Sequence, residues 1–282
     1  MQLEGKIEVA RACELAQVSR AGFYRQYEER APRQAEVALR DAIQRIALEN
    51  RFYGYRRVTA ELRHQGWMVN GKCVLRLMRL DNLLSLRRRK FVLTTESRHC
   101  FGLYANLAES VKLVTVNQLW VADITYIRVR EAFLYLAVVL DAFSRKVVGW
   151  ALEETLETSL PLAALDRALA SRVIPAGIVH HSDRGLQYAS KEYIICLLDH
   201  GFLISMSRSG SPWENARAES FMKTLKCEEV HLRRYRNLAD ARRSIGHFLQ
   251  DVYNGERLHS ALGYQTPVAF EAQLGQPRHA FS

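Results

Sequence analysis

A carboxylate stands in the middle of an apolar, strand-like run, and few folds tolerate that. The run is LWVADITYI, residues 119–127, and the acid is Asp123. Apolar and polar positions do not alternate cleanly along it, so both faces of the strand are expected to be covered. An ionised side chain there is costly without a partner, and a metal cation is one partner that removes the cost. Two further acids extend this reading. Asp183 lies in IVHHSDRGLQY, just past a second apolar run, and Glu219 lies in SPWENARAESFMKTLK, within a helical pattern. The expectation is that Asp123, Asp183 and Glu219 meet around divalent metal. Hard cations such as Mg²⁺ prefer oxygen ligands. Two such ions about 4 Å apart activate the attacking oxygen and stabilise the leaving oxygen of a phosphodiester. The chemistry this points to is cutting or joining nucleic-acid backbone.

The periodicity around these acids describes an α/β domain. Three strand patterns follow in quick succession from Leu119 (LWVADITYIRV, FLYLAVVLDAF and RKVVGWAL), which predicts an antiparallel meander. Thr158 or Ser159 then opens a helix, GIVHHSD reads as a fourth strand, Ser190 caps a helix closed by Gly201, and FLISMS is a fifth strand. A mixed sheet with flanking helices results, compatible with a ribonuclease-H-like architecture. Ser211, Pro212 and Glu214 read as a capping box, which sets Glu219 about two turns into its helix. Lys226 follows seven residues later on nearly the same line, and Lys223 one turn after Glu219 reaches the same side. Both suit a bound phosphate. Arg184, after the second aspartate, and Arg217 are further candidates for DNA contact. Trp213 and Tyr188 are candidates for stacking on a base or for the core. His181 suits either orienting Asp183 or an ordinary hydrogen bond.

The preceding third of the chain is helical and basic. Residues 1–100 hold 20 Lys and Arg against 11 Asp and Glu, which is +9 of the chain's +10. That imbalance is the electrostatic footprint of a polyanion site. Ser19 is placed to cap a short second helix. The helix of residues 33–50 is expected to bury Val37, Ile43, Ile46 and Ala47. A helical hairpin follows, with Gly66 ending one helix and Asn70 starting the next. Arg56 and Arg57 lie on its outside, and the run Arg87, Arg88, Arg89, Lys90 comes after it. A DNA-binding unit and an ordinary packing module both suit this pattern. Five separated cysteines with no C-x-x-C pair argue against a disulfide framework or a thiolate zinc site. No run is long enough for a membrane span, and the charged N-terminus is not a signal peptide. The expected setting is cytoplasmic.

The segments FYGYRRV, LWVADITYI, VLDAFSRKVVGW, HSDRGLQYAS, SMSRSGSPWENARAESFMKTLK and YNGERLHSALGYQTP, in this order and spacing, cover most of the chain. Together they resemble the OrfB-type transposases of bacterial insertion sequences, in the retroviral-integrase-like DDE superfamily. The intervals of 59 residues between Asp123 and Asp183 and 35 between Asp183 and Glu219 suit that family's acidic triad. The resemblance implies a ribonuclease-H-like catalytic core over 116–275, joined by a connector (91–115) to a helix-turn-helix-like DNA-binding region (31–90) and a short helical segment (1–30). It implies that Asp123, Asp183 and Glu219 are catalytic and hold Mg²⁺ or Mn²⁺ as two ions. Nicking at the element's end would precede attack of a 3′-hydroxyl on a second phosphodiester. The implied partners are double-stranded DNA (element ends and target), other copies of the chain on that DNA, and the product of an upstream frame, in a bacterial, nucleoid-associated setting. One departure is Glu214, where the family carries Asp. The alternative reading is a non-catalytic DNA-binding protein or an inactive relic. A nuclease acting on RNA–DNA hybrids is a third.

Overall fold

The computed structural model describes residues 8–26, 34–84, 104–130, 132–208 and 212–274, and it divides into two compact units, 1–86 and 87–282. Arg87, Arg88, Arg89 and Lys90 lie outside the described residues.

The first unit is all helix: α1 (Val9–Leu15), α2 (Arg20–Gln26), α3 (Gln34–Glu49), α4 (Tyr55–His64) and α5 (Gly71–Leu80). Ser19 Oγ accepts the Gly22 N–H at 3.0 Å, so the expected cap of α2 is present. The buried stripe of α3 is Leu39, Ala42, Ile43 and Ile46, an i, i+3, i+4, i+7 set. Val37, expected inside, is 43% exposed, because it lies off that stripe. Ala47 is only half-buried for the same reason. The α4–α5 hairpin buries Val58, Leu62, Val74, Leu77 and Met78. Gly66 ends α4 with φ +87°, and the Gly66 and Trp67 amides donate to the Arg63 and Leu62 carbonyls in a Schellman closure. Asn70 Oδ1 accepts the Lys72 N–H at 2.9 Å and starts α5. Asn70→Ala is expected to destabilise this unit by about 1 kcal/mol, measured by chemical denaturation followed at 222 nm.

The second unit is built on five strands: β1 (Leu119–Val129), β2 (Ala132–Asp141), β3 (Val147–Glu153), β4 (Val179–Ser182) and β5 (Leu203–Met206), in spatial order β3-β2-β1-β4-β5. The first three are antiparallel, while β4 runs parallel to β1 and β5 to β4. This is the ribonuclease-H-like mixed sheet. Helices α6 (Ser159–Ala170) and α7 (Lys191–Asp199) serve one face, over Trp120, Ala122, Ala137 and Val139. Helices α8 (Ala216–Glu228) and α9 (Leu238–His247), with a π-helical stretch (Phe248–Glu256), serve the other, over Val121, Ile127, Leu136 and Val138. Both faces of β1 are therefore covered at its start, as its composition requires.

The C-terminal motif YN-x-x-R-x-H turns out to be packing. The Asn254 amide both donates to the Val147 carbonyl and accepts the Val147 N–H, each at 3.0 Å, so the side chain imitates a strand partner for β3. Arg257 makes a two-pronged contact with Glu228, both bonds 2.7 Å. The His259 ring packs edge-on against Tyr253 at 4.8 Å. A last helix, α10 (Pro267–Leu274), is fastened to the β2–β3 turn, where Glu271 pairs with Lys146 at 3.0 Å and Phe270 lies against Phe143, and to Arg172 just after α6, which also pairs with Glu271.

Candidate active site

The parallel pairing of β1 and β4 places the first two acids. Its register runs Leu119 with Val179 through Val121 with His181, so continuing it sets Asp123 level with Asp183, one residue past the end of β4. Odd-numbered residues of β1 (Val121, Ile127) face the α8 side, and Asp123 shares their parity. Helix α8 docks there through Ala218, Phe221, Met222 and Leu225. Glu219 is in its first turn and Lys226 in its last.

The start of α8 differs from the sequence expectation. Residues Pro212–Asn215 form a 3-10 turn, and the α-helix begins at Ala216. Glu219 is therefore one turn in rather than two, where the exposed amides of the helix N-terminus favour a carboxylate. Ser211, the other half of the expected capping box, lies outside the described residues, and only Glu214 can be followed. Its carboxylate accepts the Arg208 backbone N–H and pairs with the Arg208 guanidinium, each at 2.6 Å. Asn215, which the sequence did not single out, ties α8 to the site: its Nδ2 donates to the Ala122 carbonyl at 3.1 Å, next to Asp123. No local pattern signals a bond spanning so much chain.

The electrostatics centre on Asp123. Burial pushes its carboxylate up to about 7, and the charges of Asp183 and Glu219 add to that, while the Ile124 N–H and the Lys226 ammonium oppose it. The Ile124 N–H donates to Asp123 Oδ1 at 2.9 Å. Asp183 is raised too, by burial first, against the Gly185 N–H that donates to its Oδ1 at 3.0 Å. Burial lowers the Lys226 ammonium and Asp123 raises it. Its Nζ stands 4.9 Å from the centre of the Tyr126 ring. The three acids and Lys226 thus share one electrostatic neighbourhood. They do not form a closed ligand set as placed: among the described residues no three His, Cys, Asp or Glu side chains are grouped to hold an ion.

The remaining candidates divide by environment. Lys223 is exposed on α8. Arg217 is exposed on the same helix, its guanidinium lowered by burial and by the like charge of Arg145. Two neighbouring cations suit an anion. Arg184 follows Asp183, with its Nε buried and without a hydrogen-bond partner. In the helical unit, Arg56 and Arg57 lie over the rings of Tyr55 and Tyr53. Tyr188 does not stack on a base, since it is 2% exposed in the core. Its hydroxyl has no partner, and burial raises it well above its ordinary value, helped by Tyr193 and the charges of Asp123 and Asp183. His181 Nδ1 meets Ser205 Oγ at 2.8 Å, and that oxygen also accepts the Leu107 and Ala108 amides. With its lone pairs so used, Ser205 donates its own proton to His181 Nδ1. The imidazole is then neutral, as its lowering to about 4 by burial requires, so His181 braces β4 against β5. His180 is likewise a core residue, bonded to Tyr193.

Comparison with known proteins is decisive at the level of family. An HTH-like domain matches residues 34–91, and two integrase core domain families match 114–212 and 200–267. The chain is 37% identical to the insertion element IS600 31 kDa protein of Shigella sonnei, over 94% of this chain and 98% of that one. It is 33% identical to transposase InsF for insertion sequence IS3A of Escherichia coli K12, over 95% of each. The chain belongs to the IS3 family of transposases. A transposase of insertion sequence IS904 from Lactococcus lactis is 36% identical over 78% of this chain and 87% of its own. Among solved structures, a simian T-cell lymphotropic virus intasome chain overlaps 84% of this transposase and 76% of itself, at 15% identity and TM-score 0.48. The two integrase core domain matches, both within the second unit, make that unit the integrase-type core of a polynucleotidyl transferase. Among the described residues, no helix of this transposase is long and apolar enough to cross a membrane.

Proposed function

We propose that this transposase cleaves DNA at the ends of its element and transfers the freed 3′ ends to a target, with Asp123, Asp183 and Glu219 as the ligands of two divalent ions, Mg²⁺ or Mn²⁺. The observation that carries this reading is the β1–β4 register, which brings Asp123 level with Asp183 on the face where α8 carries Glu219. The donor set fits the metal. All donors are carboxylate oxygens, as a hard cation prefers, and burial, helped by the charges of Asp183 and Glu219, lifts Asp123 to about 7. When bound, the ions supply Lewis-acid activation of the attacking and leaving oxygens. The chain supplies the rest. Asp123 is held through Oδ1 by the Ile124 N–H and Asp183 through Oδ1 by the Gly185 N–H, which leaves the second oxygen of each for an ion. Lys226, beside Asp123, is placed for the scissile phosphate. Arg184 and the Arg217–Arg145 pair extend the positive surface along the backbone. The helical unit, with Arg56 and Arg57 and, beyond it, Arg87, Arg88, Arg89 and Lys90, holds double-stranded DNA. Two element ends require more than one copy of the chain, and an upstream-frame product is a further partner.

The test uses duplex DNA carrying the terminal repeats that flank the gene. Nicked products ending in 3′-hydroxyl and strand-transfer products are expected with Mg²⁺ or Mn²⁺, none in chelator, and recovery when metal is restored. Undiminished cleavage in chelator would overturn the metal assignment. DNA binding without cleavage in either metal would favour the non-catalytic reading. Preferential cleavage of RNA–DNA hybrid would favour a ribonuclease.

A further inference from the structure

The sheet does not end where its neighbours do. Strand β4 pairs with β1 only from Leu119 to Val121, and β3 reaches β2 only as far as Tyr135. The far part of the β1–β2 hairpin is therefore a two-stranded ribbon. One of its faces is closed by Ile127, Val129 and Leu134, all buried. The other face is open. Tyr126 is 62% exposed there and Phe133 48%, with ring centres 5.6 Å apart and nearly perpendicular. Arg128, exposed on the same face, is the register partner of Phe133. From the other side Lys226 reaches the Tyr126 ring.

A cross-strand aromatic pair alone would do no more than stabilise the ribbon. Its surroundings ask for more. An occupant of this face meets two aromatic rings flanked by two cations, so it must be both flat and anionic. A nucleotide meets both conditions. The base must be unpaired, because a stacked duplex hides the faces of its bases. Continuity selects the source: Lys226 is the residue whose charge acts on Asp123, so the platform adjoins the acids.

We propose that Tyr126 and Phe133 form a stacking platform for an unpaired nucleotide of the DNA substrate next to the cut, with Arg128 and Lys226 taking its phosphates. The proposal uses the triad reading only to say where the strand comes from. Its test therefore avoids catalysis.

Full-length protein in chelator would be titrated with an element-end duplex, either blunt or bearing a short unpaired tail with one 2-aminopurine. Wild type is expected to bind the tailed duplex about tenfold more tightly and to quench the probe. Tyr126→Leu with Phe133→Leu should lose both the preference and the quench while blunt-duplex affinity stays. Tyr126→Phe should keep both. Both changed rings are largely exposed, and a thermal melt would verify the fold. The proposal is overturned if wild type shows no preference, if the double variant retains it, or if blunt and tailed affinities fall together. It is also overturned if the loss follows a change in oligomeric state by light scattering, which would make the pair a contact between copies. Because metal is absent, failure of the cleavage assay leaves this result untouched.

Discussion

Asp123→Asn is expected to abolish strand cleavage and transfer, by about a thousandfold or more, while leaving a protein that is more stable at neutral pH in chelator. The two effects have one cause. Burial and the neighbouring acids raise the folded carboxylate from 3.8 to about 7. In the unfolded chain it ionises near its ordinary value. Between those two points the folded state holds a proton that the unfolded state has released, so stability falls as pH rises from about 4 to about 7 and then levels off. Asparagine has no proton to lose. Its advantage should be absent near pH 4 and complete above pH 7, on the order of 3 kcal/mol after allowing for partial solvent access. Thermal melts in chelator across this range measure it. Added Mg²⁺ should stabilise wild type and not the variant, since only wild type has all three carboxylates. A variant that cleaves like wild type would remove Asp123 from the chemistry. A variant that melts earlier at pH 8 would remove the account of a carboxylate raised by burial and neighbouring acids.

Gly149→Ala is expected to cost about 3 kcal/mol or more and to lower the yield of folded protein. Gly149 is on β3 where α6 crosses it. A Cβ there would lie 2.1 Å from the Ala164 carbonyl oxygen, 2.7 Å from the Ala168 nitrogen and 2.8 Å from its Cβ. Two of these are backbone atoms of a helix, which cannot swing aside like a side chain. The helix would have to lift off the sheet, opening the contacts of Leu160, Leu165 and Ala168. Urea denaturation would show a lowered midpoint. An unchanged midpoint would mean that α6 is not held so close. Asp123 and α8, which carries Glu219, lie on the opposite face of the sheet, so surviving protein should respond to metal as wild type does.

Much of this architecture could be read from the chain because its signals are local. Strand periodicity, the cap at Ser190, the closing Gly201 and the helical hairpin around Gly66 and Asn70 each depend on a few adjacent residues, and each is found in place. The adjacency of Asp123 and Asp183 was legible only as a condition on strand order, which the parallel β1–β4 pairing meets. What escaped is non-local. Val37 satisfies a loose helical spacing, and only packing shows Leu39 and Ala42 to be the buried pair. Ser-x-x-Glu at residues 211–214 has the form of a capping box, yet Glu214 finds Arg208, a partner set by how the chain returns from β5. Asn215 and Asn254 act on carbonyls far away in sequence. Their roles exist only once the sheet exists.

The clasp between α10 and the β2–β3 turn has a bearing on how the chain is made. Glu271 is among the last described residues, and it neutralises Lys146, at a turn finished more than a hundred residues earlier, and Arg172, just after α6. A ribosome must therefore complete α10 before that corner of the sheet can be fastened. Chains that stop short of α10 would emerge with Lys146 uncompensated and Arg172 left to Asp141, a looser corner that exposes them to proteolysis.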